Sequence, residues 1–238
     1  MGIEQQIDDK VKDYLEGDYE IRPYKGIPNI DNVPFGKVAL KVSMCAFAID
    51  LRGSTDLLSA HQKQTAGKIH KAFLYAAASI VNHYGGYIRN FRGDGLLAFW
   101  PADLKSQVSK AVRAALALKY MLNTKLQPRF AEYSELDFGI GIDWGEVYVL
   151  RVGVPRDPND NDLVFIGKCV NYAVAISEQA KGPDHIEISV ITHGNLEDDV
   201  RYAEKDGSKV DMWRDGVVEW KGEKHPSKFT SYHWAPAG

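Results

Sequence analysis

The stretch Val42-Ser-Met-Cys-Ala-Phe-Ala-Ile49 is an almost unbroken apolar run. It ends on one acid, Asp50, and Leu51-Arg52-Gly53-Ser54-Thr55 follows at once. A run of this length, closed by a turn signal, reads as a buried strand. Asp50 then stands at the strand's C-terminal edge, where a carboxylate leaves the core and meets solvent. Gly53 permits a tight turn, and Ser54 or Thr55 can cap a helix starting at Asp56. A carboxylate beside free backbone N–H groups at a helix start suits a metal–phosphate ligand. The plainer reading is an Asp that merely ends a strand before an N-cap.

The remaining punctuation is regular. Ile7, Val11, Tyr14 and Leu15 have helical spacing and Gly17 follows as a stop, so Ile3 to Leu15 reads as a short amphipathic helix. Prolines and glycines mark Glu20 to Gly36 as an irregular arm. Val38 to Leu51 is the first core strand, and Asp56 to Tyr84 is a long helix ended by Gly85-Gly86. Tyr87 to Arg92 and Leu96 to Trp100 flank Gly93-Asp94-Gly95 as a hairpin. Ala102 to Leu126 is a second long helix. Leu136 to Ile142 and Glu146 to Val152 are expected to pair through a turn at Asp143-Trp144-Gly145. Pro155 to Asp162 is a polar loop, Leu163 to Ile166 a short strand, and Gly167 leads into a helix through Ala180. Glu187 to Ile191 is a strand, and Trp213 to Lys221 with Lys228 to Trp234 forms a last hairpin. This order of strands, hairpins and helices predicts an α+β domain, one sheet with helices on one face.

Bulk properties exclude several classes. The 238 residues can bury a core without staples, and a net charge of −3 carries no basic field for nucleic acid. Cys45 and Cys169 both lie in apolar segments, which fits a reduced, cytoplasmic protein. No apolar run reaches membrane-spanning length. The polar, acidic start is not a signal peptide, and Gln6 stands where myristoylation wants Ser or Thr.

Asp50 and Asp94 carry the chemistry. The first strand and the hairpin can be neighbours in one sheet, and two carboxylates converging from adjacent strand ends are what a two-metal site needs. Asp94 is also ordinary turn chemistry. The surrounding motifs decide between these readings. Phe47-Ala-Ile-Asp50-Leu-Arg-Gly-Ser-Thr55 resembles the first metal-binding motif of the class III nucleotidyl cyclases, and Phe91-Arg-Gly-Asp94-Gly-Leu-Leu-Ala-Phe99 the second. Gly139 to Gly145 with Val152-Gly153 is similar to the family's middle hairpin. Asp162 to Ala173 resembles its base-pocket strand and transition-state asparagine, here Asn171. Val218 to Lys224 resembles the strand that carries a triphosphate-binding lysine. The motifs come in family order from roughly Lys37 to Trp234.

The resemblance implies a ferredoxin-like catalytic domain over residues 37–238, preceded by a helix and arm over residues 1–36. It implies a head-to-tail homodimer with two composite sites. Asp50, the Leu51 backbone and Asp94 of one chain hold two divalent cations, Mg²⁺ or Mn²⁺. N–H groups from Leu51 through Arg52, Gly53 and Ser54 to Thr55 cradle phosphate oxygens. Asn171 of the partner orients the ribose, and Lys221 or Lys224 meets the triphosphate of the nucleoside triphosphate substrate.

Departures from the pattern narrow the substrate. Adenylate cyclases of the family carry Lys where Asn90 stands and Asp or Thr where Val164 stands, so the purine-reading pair is absent. Arg92, on the strand face of Asn90, replaces a usual apolar residue and brings a rigid fork of donors. The family's transition-state arginine falls at Ala175: either another cation serves in its place, with Arg92 or Lys168 the candidates, or catalysis is slow, or it is absent. With no further domain legible on either side, the chain looks like the free-standing bacterial pyrimidine cyclases of anti-phage defence called Pycsar, whose cyclic product acts on a separate effector protein. UTP is favoured over CTP, because uracil offers two carbonyl acceptors to an Arg or Asn donor. A purine cyclase with an unusual pocket, and a non-catalytic cyclase-like binding domain, stay open.

Overall fold

The sheet is built outward from one strand. In the computed structural model, which describes residues 2–53, 63–133, 135–154 and 160–237, strand β2 spans Val38–Leu51 and is buried along most of its length. The chain's first strand, β1 (Glu20–Pro23), runs parallel to the start of β2. Two strands clasp β2 antiparallel. One is β4 (Gly95–Pro101), from Met44 opposite Pro101 to Ile49 opposite Leu96. The other is β5 (Phe138–Gly153), from Leu40 opposite Val149 to Leu51 opposite Phe138. The hairpin partner β3 (Tyr87–Arg92) lies outside β4, and β6 (Asn161–Ile166) pairs with the far end of β5. On the other flank β7 (Ile186–Ser189) runs parallel to β5. After a separate small hairpin, β8 (Tyr202–Lys205) with β9 (Ser208–Asp211), the sheet closes with β10 (Arg214–Trp220) and β11 (Glu223–Thr230) in the order β10-β11-β7-β5-β2-β4-β3.

Alternation along β2 feeds two cores. Cys45, Phe47, Ile49 and Leu51 join residues of α2 (Lys63–His83) and α3 (Lys105–Tyr120). Val42, Met44, Ala46 and Ala48 join Cys169, Val170 and Ala173 of α4 (Lys168–Ser177). Helices therefore cover both faces, not one as expected, and the near-continuous apolar reading of β2 follows from burial on both sides. The N-terminal helix α1 (Ile3–Leu15) has no buried residue. Among the described residues no helix is long and apolar enough to cross a membrane.

Other expectations are corrected. The two strands expected around Asp143-Trp144-Gly145 are one strand, β5, and these residues stand in register with Ala46, Cys45 and Met44. Gly145 does not turn the chain, and Cys169 of α4 lies close by, 3.3 Å from where a Cβ would be. The arm from Glu20 contains β1 and a short helical turn at Ile30–Asn32, capped by Asn29. The second long helix continues from α3 into π-helical turns at Met121–Leu126. Helix α4 ends at Ser177, before Ala180. Strand β7 stops at Ser189, whose hydroxyl accepts the Thr192 N–H at 3.1 Å and starts a helical turn. In the last hairpin the turn falls at Lys221 and Gly222, both at positive φ (54° and 77°), so β11 begins well before Lys228. The expected start of the first long helix at Asp56 lies outside the described residues.

Helix α4 lies directly on β5 because Gly139 and Gly141 leave room. A Cβ at Gly141 would overlap the Ala173 carbonyl oxygen, and one at Gly139 the Ser177 carbonyl oxygen. Gly141→Ala should destabilise the fold by about 2–3 kcal/mol, as overpacking of a close contact does. The measurement is a urea midpoint at unchanged slope. An unmoved midpoint would mean that α4 does not sit against this strand.

Candidate active site

β2 and the β3–β4 hairpin carry their acids to one place. A cleft of about 260 Å³ is lined by Asp50, Arg92, Asp94, Gly95 and, from α4 and its end, Val174, Ser177 and Glu178. Asp50 is half-buried. That burial, and then the Asp94 charge, push its carboxyl up to about 6, while the Arg52 guanidinium pulls the other way.

Gly95 completes the floor. The turn's positive φ belongs to Gly93 (59°), so Gly95 is not needed for backbone conformation. It is needed for space: a Cβ there would lie 2.6 Å from the Ile49 carbonyl oxygen and 3.5 Å from Asp50 Oδ1. Two carboxylates beside a position kept free of a side chain make an oxygen-lined cleft of the type hard divalent cations take. Among the described residues no cluster of three or more His, Cys, Asp or Glu side chains stands ready as a full cage. An ion of the Mg²⁺ type keeps waters and substrate phosphates in its shell, so a pair of carboxylates fits it.

The other candidate residues are spread more widely. Leu51 buries its side chain in the core, leaving only its backbone for a ligand role. Arg52 is committed elsewhere. Its backbone N–H donates to the Asp137 carbonyl at 2.9 Å, and its guanidinium donates to the Ser177 and Ala180 carbonyls. The expected phosphate cradle therefore cannot use the Arg52 N–H. Gly53 is exposed at positive φ (66°), and Ser54 and Thr55 lie outside the described residues.

Asn90 is exposed on β3 opposite Leu97, just past a bulge, two residues from the cleft-lining Arg92. Val164 is 39% exposed on β6 opposite Leu150. Asn171 is exposed on α4, and Ala175 is buried one turn further on. Near the N-terminal end of α4, Lys168 Nζ lies 5.6 Å from the Trp220 ring centroid and Lys221 Nζ lies 4.7 Å from the same ring. Lys224 is exposed opposite Glu219. Asn90, Val164, Asn171, Lys221 and Lys224 are all absent from the lining of the Asp50–Asp94 cleft. Sequence reasoning missed Gly95, which passed for turn chemistry, and Glu178, which no motif marks.

This sheet and its paired acids define a class III nucleotidyl cyclase domain. The chain shares its fold with the guanylyl cyclase Cya2, at TM-score 0.65 and 24% identity over 80% of this chain and 91% of that one. It shares it equally with the adenylyl cyclase CyaB from P. aeruginosa, at TM-score 0.66 and 22% identity over 81% and 95%. No protein-family model matches the sequence. It is 30% identical over 220 residues to a uridylate cyclase of Burkholderia cepacia, covering 90% of this chain and 91% of that protein. A uridylate cyclase of Xanthomonas perforans is 26% identical over 196 residues, covering 80% and 83%. The chain belongs to the uridylate cyclase family.

Proposed function

We propose that the chain converts a pyrimidine nucleoside triphosphate, UTP before CTP, to its 3′,5′-cyclic nucleotide and pyrophosphate. The observation that carries this is the meeting of Asp50, Asp94 and Arg92 in one cleft at the ends of β2 and the β3–β4 hairpin. Asp50 and Asp94, with the Leu51 backbone, are the residues to hold Mg²⁺ or Mn²⁺. Bound there, two such ions lower the pKa of the ribose 3′-hydroxyl and neutralise the triphosphate. The 3′-oxygen forms a bond to the α-phosphorus, the bond from that phosphorus to the β-bridging oxygen breaks, and the hydroxyl proton leaves to solvent. Arg92 faces this reaction from the cleft wall, a fork of donors for a base carbonyl or a phosphate oxygen.

The active unit in this reading is a head-to-tail homodimer of the domain over residues 37–238, with residues 1–36 as an appended arm. Asn171 of the partner orients the ribose, and Lys221 or Lys224 meets the triphosphate. The exposure of Asn171 and its absence from its own chain's cleft support a shared site. The product is read as a second messenger for a separate effector in anti-phage defence, made in the cytoplasm.

The test is product yield from equimolar UTP, CTP, ATP and GTP with Mn²⁺. Cyclic UMP should dominate, and mainly cyclic AMP or GMP would overturn the reading. Arg92→Ala should shift the ratio of UTP to CTP turnover by roughly tenfold to a hundredfold if it reads the base, since an unpaired buried polar group costs about 1–3 kcal/mol. Equal loss of all products would assign Arg92 to the phosphates, in the place left by Ala175.

A further inference from the structure

We propose that Arg52 is a positioning residue: it fastens the catalytic end of β2 to the C-terminal end of α4, and so sets one face of its own active site and one face of its partner's. The second half of this statement rests on the composite-site reading above.

Arg52 stands two residues beyond Asp50. Its Nη2 donates to the Ser177 carbonyl at 2.9 Å and to the Ala180 carbonyl at 2.7 Å, and its Nε donates to Ala180 at 3.1 Å. The Ser177 carbonyl ends the helix, has no donor within it and carries the negative end of its dipole, so the guanidinium meets both needs there, and its two bonds to Ala180 hold the turn that leaves the helix. The backbone adds a further tie, from the Arg52 N–H to the Asp137 carbonyl just before β5. Three elements therefore meet at one residue: through its place in the chain the strand that carries Asp50, through its backbone N–H the start of the strand at Phe138, and through its guanidinium the end of the helix laid over Gly139 and Gly141.

The helix has two functional ends. Val174, Ser177 and Glu178, at its C-terminal end, wall the cleft that holds Asp50 and Asp94 of the same chain. Asn171, nearer the N-terminal end, is exposed and serves the other site of a head-to-tail pair. A helix of 10 residues moves as a rigid rod, so holding its end beside Asp50 also fixes where Asn171 is presented. An Arg52 that served as a phosphate ligand could not keep these three hydrogen bonds.

Mixed dimers separate the two effects. Asp50→Asn in one chain and Asn171→Ala in the other leave one intact composite site, built from the first chain's Asn171 and the second chain's Asp50. Arg52→Gln is then added to either chain, subunit exchange is verified by mass, and cyclic-nucleotide kcat is read at saturating substrate and Mn²⁺. Both placements should lower kcat by fivefold or more. Arg52→Lys in the same placements, with a cation still over the carbonyls, should recover part of the loss, and thermal melts report that each variant is folded. A loss only when Arg52→Gln sits in the chain supplying Asp50 would overturn the inference, as would no loss in either placement. If the parent mixture regains no activity despite exchange, the composite-site reading fails and takes the second half of the inference with it, while kcat of Arg52→Gln in the otherwise unaltered chain, expected to fall fivefold or more, still decides the first. Should Arg52→Gln not fold, Arg52→Lys in the two placements decides by the same comparison.

Discussion

Asp50→Asn and Asp94→Asn, made singly, are each expected to reduce cyclic-nucleotide formation by roughly a hundredfold to a thousandfold or more, the scale set by losing one well-placed electrostatic group. An amide keeps the shape of the carboxylate and loses its charge, so the cleft that both acids line stays open while its attraction for a divalent ion falls. The fold should survive. Asp50 and Asp94 repel in a half-buried cleft, so removing one of two like charges should leave the metal-free melting temperature no lower than the parent's. Activity assays across Mn²⁺ concentrations, calorimetric Mn²⁺ titration and melting curves check this together. A variant within threefold of the parent at low Mn²⁺ would remove that acid from the metal site.

Gly95→Ala adds only one methyl group but should damage catalysis far more than stability. Its Cβ would stand 2.6 Å from the Ile49 carbonyl oxygen, and that oxygen belongs to the central strand just before Asp50. The strand end cannot give way alone, because β2 is clasped by β4 and β5 on both sides up to this point. Either the hairpin tip carrying Asp94 moves outward or Asp50 turns away, and both widen the gap between the carboxylates. A misplacement of about 1 Å at reacting groups can cost on the order of a hundredfold, and that is the expected fall in kcat. The expected stability loss is smaller, about 1–3 kcal/mol. Gly93→Ala serves as the contrast. It strains the backbone at positive φ but meets nothing within 4 Å, so it should cost stability more than catalysis. Full activity in Gly95→Ala would mean that the cradle tolerates a side chain and is not the metal site.

Local signals made part of this legible. The run into Asp50 and the glycine-bracketed hairpin tip at Asp94 are short-range patterns, and the structure places both acids in one cleft. What failed depended on distant partners. Asp143-Trp144-Gly145 has the composition of a turn, and its place within a continuous strand, with Cys169 close to the glycine, depends on partners far along the chain. The polar segment Glu20–Pro23 becomes a strand solely by lying along Val38–Lys41. Arg52 reads locally as part of a phosphate loop, yet its partners Ser177 and Ala180 lie 125 and 128 residues away along the chain. The second helical layer was hidden likewise, because α4 packs through small residues such as Ala173 onto glycines of β5.

The clasping of β2 from both sides also governs when an active molecule can exist. As the chain leaves the ribosome, β2 can pair with β4 early, but its other edge must wait for Phe138 and the residues after it, and β11 joins only through β7. Sheets closed by such distant pairings fold slowly for their size. Until then the nascent chain holds a long apolar strand with one open edge, the kind of surface that aggregates or recruits chaperones. The same order delays function: Asp50 and Asp94 can approach one another in a half-made chain, but the wall supplied by Val174, Ser177 and Glu178 cannot arrive before the second half is synthesised. A fragment ending before α4 would be a sheet with its acids in place and no enclosed cleft around them.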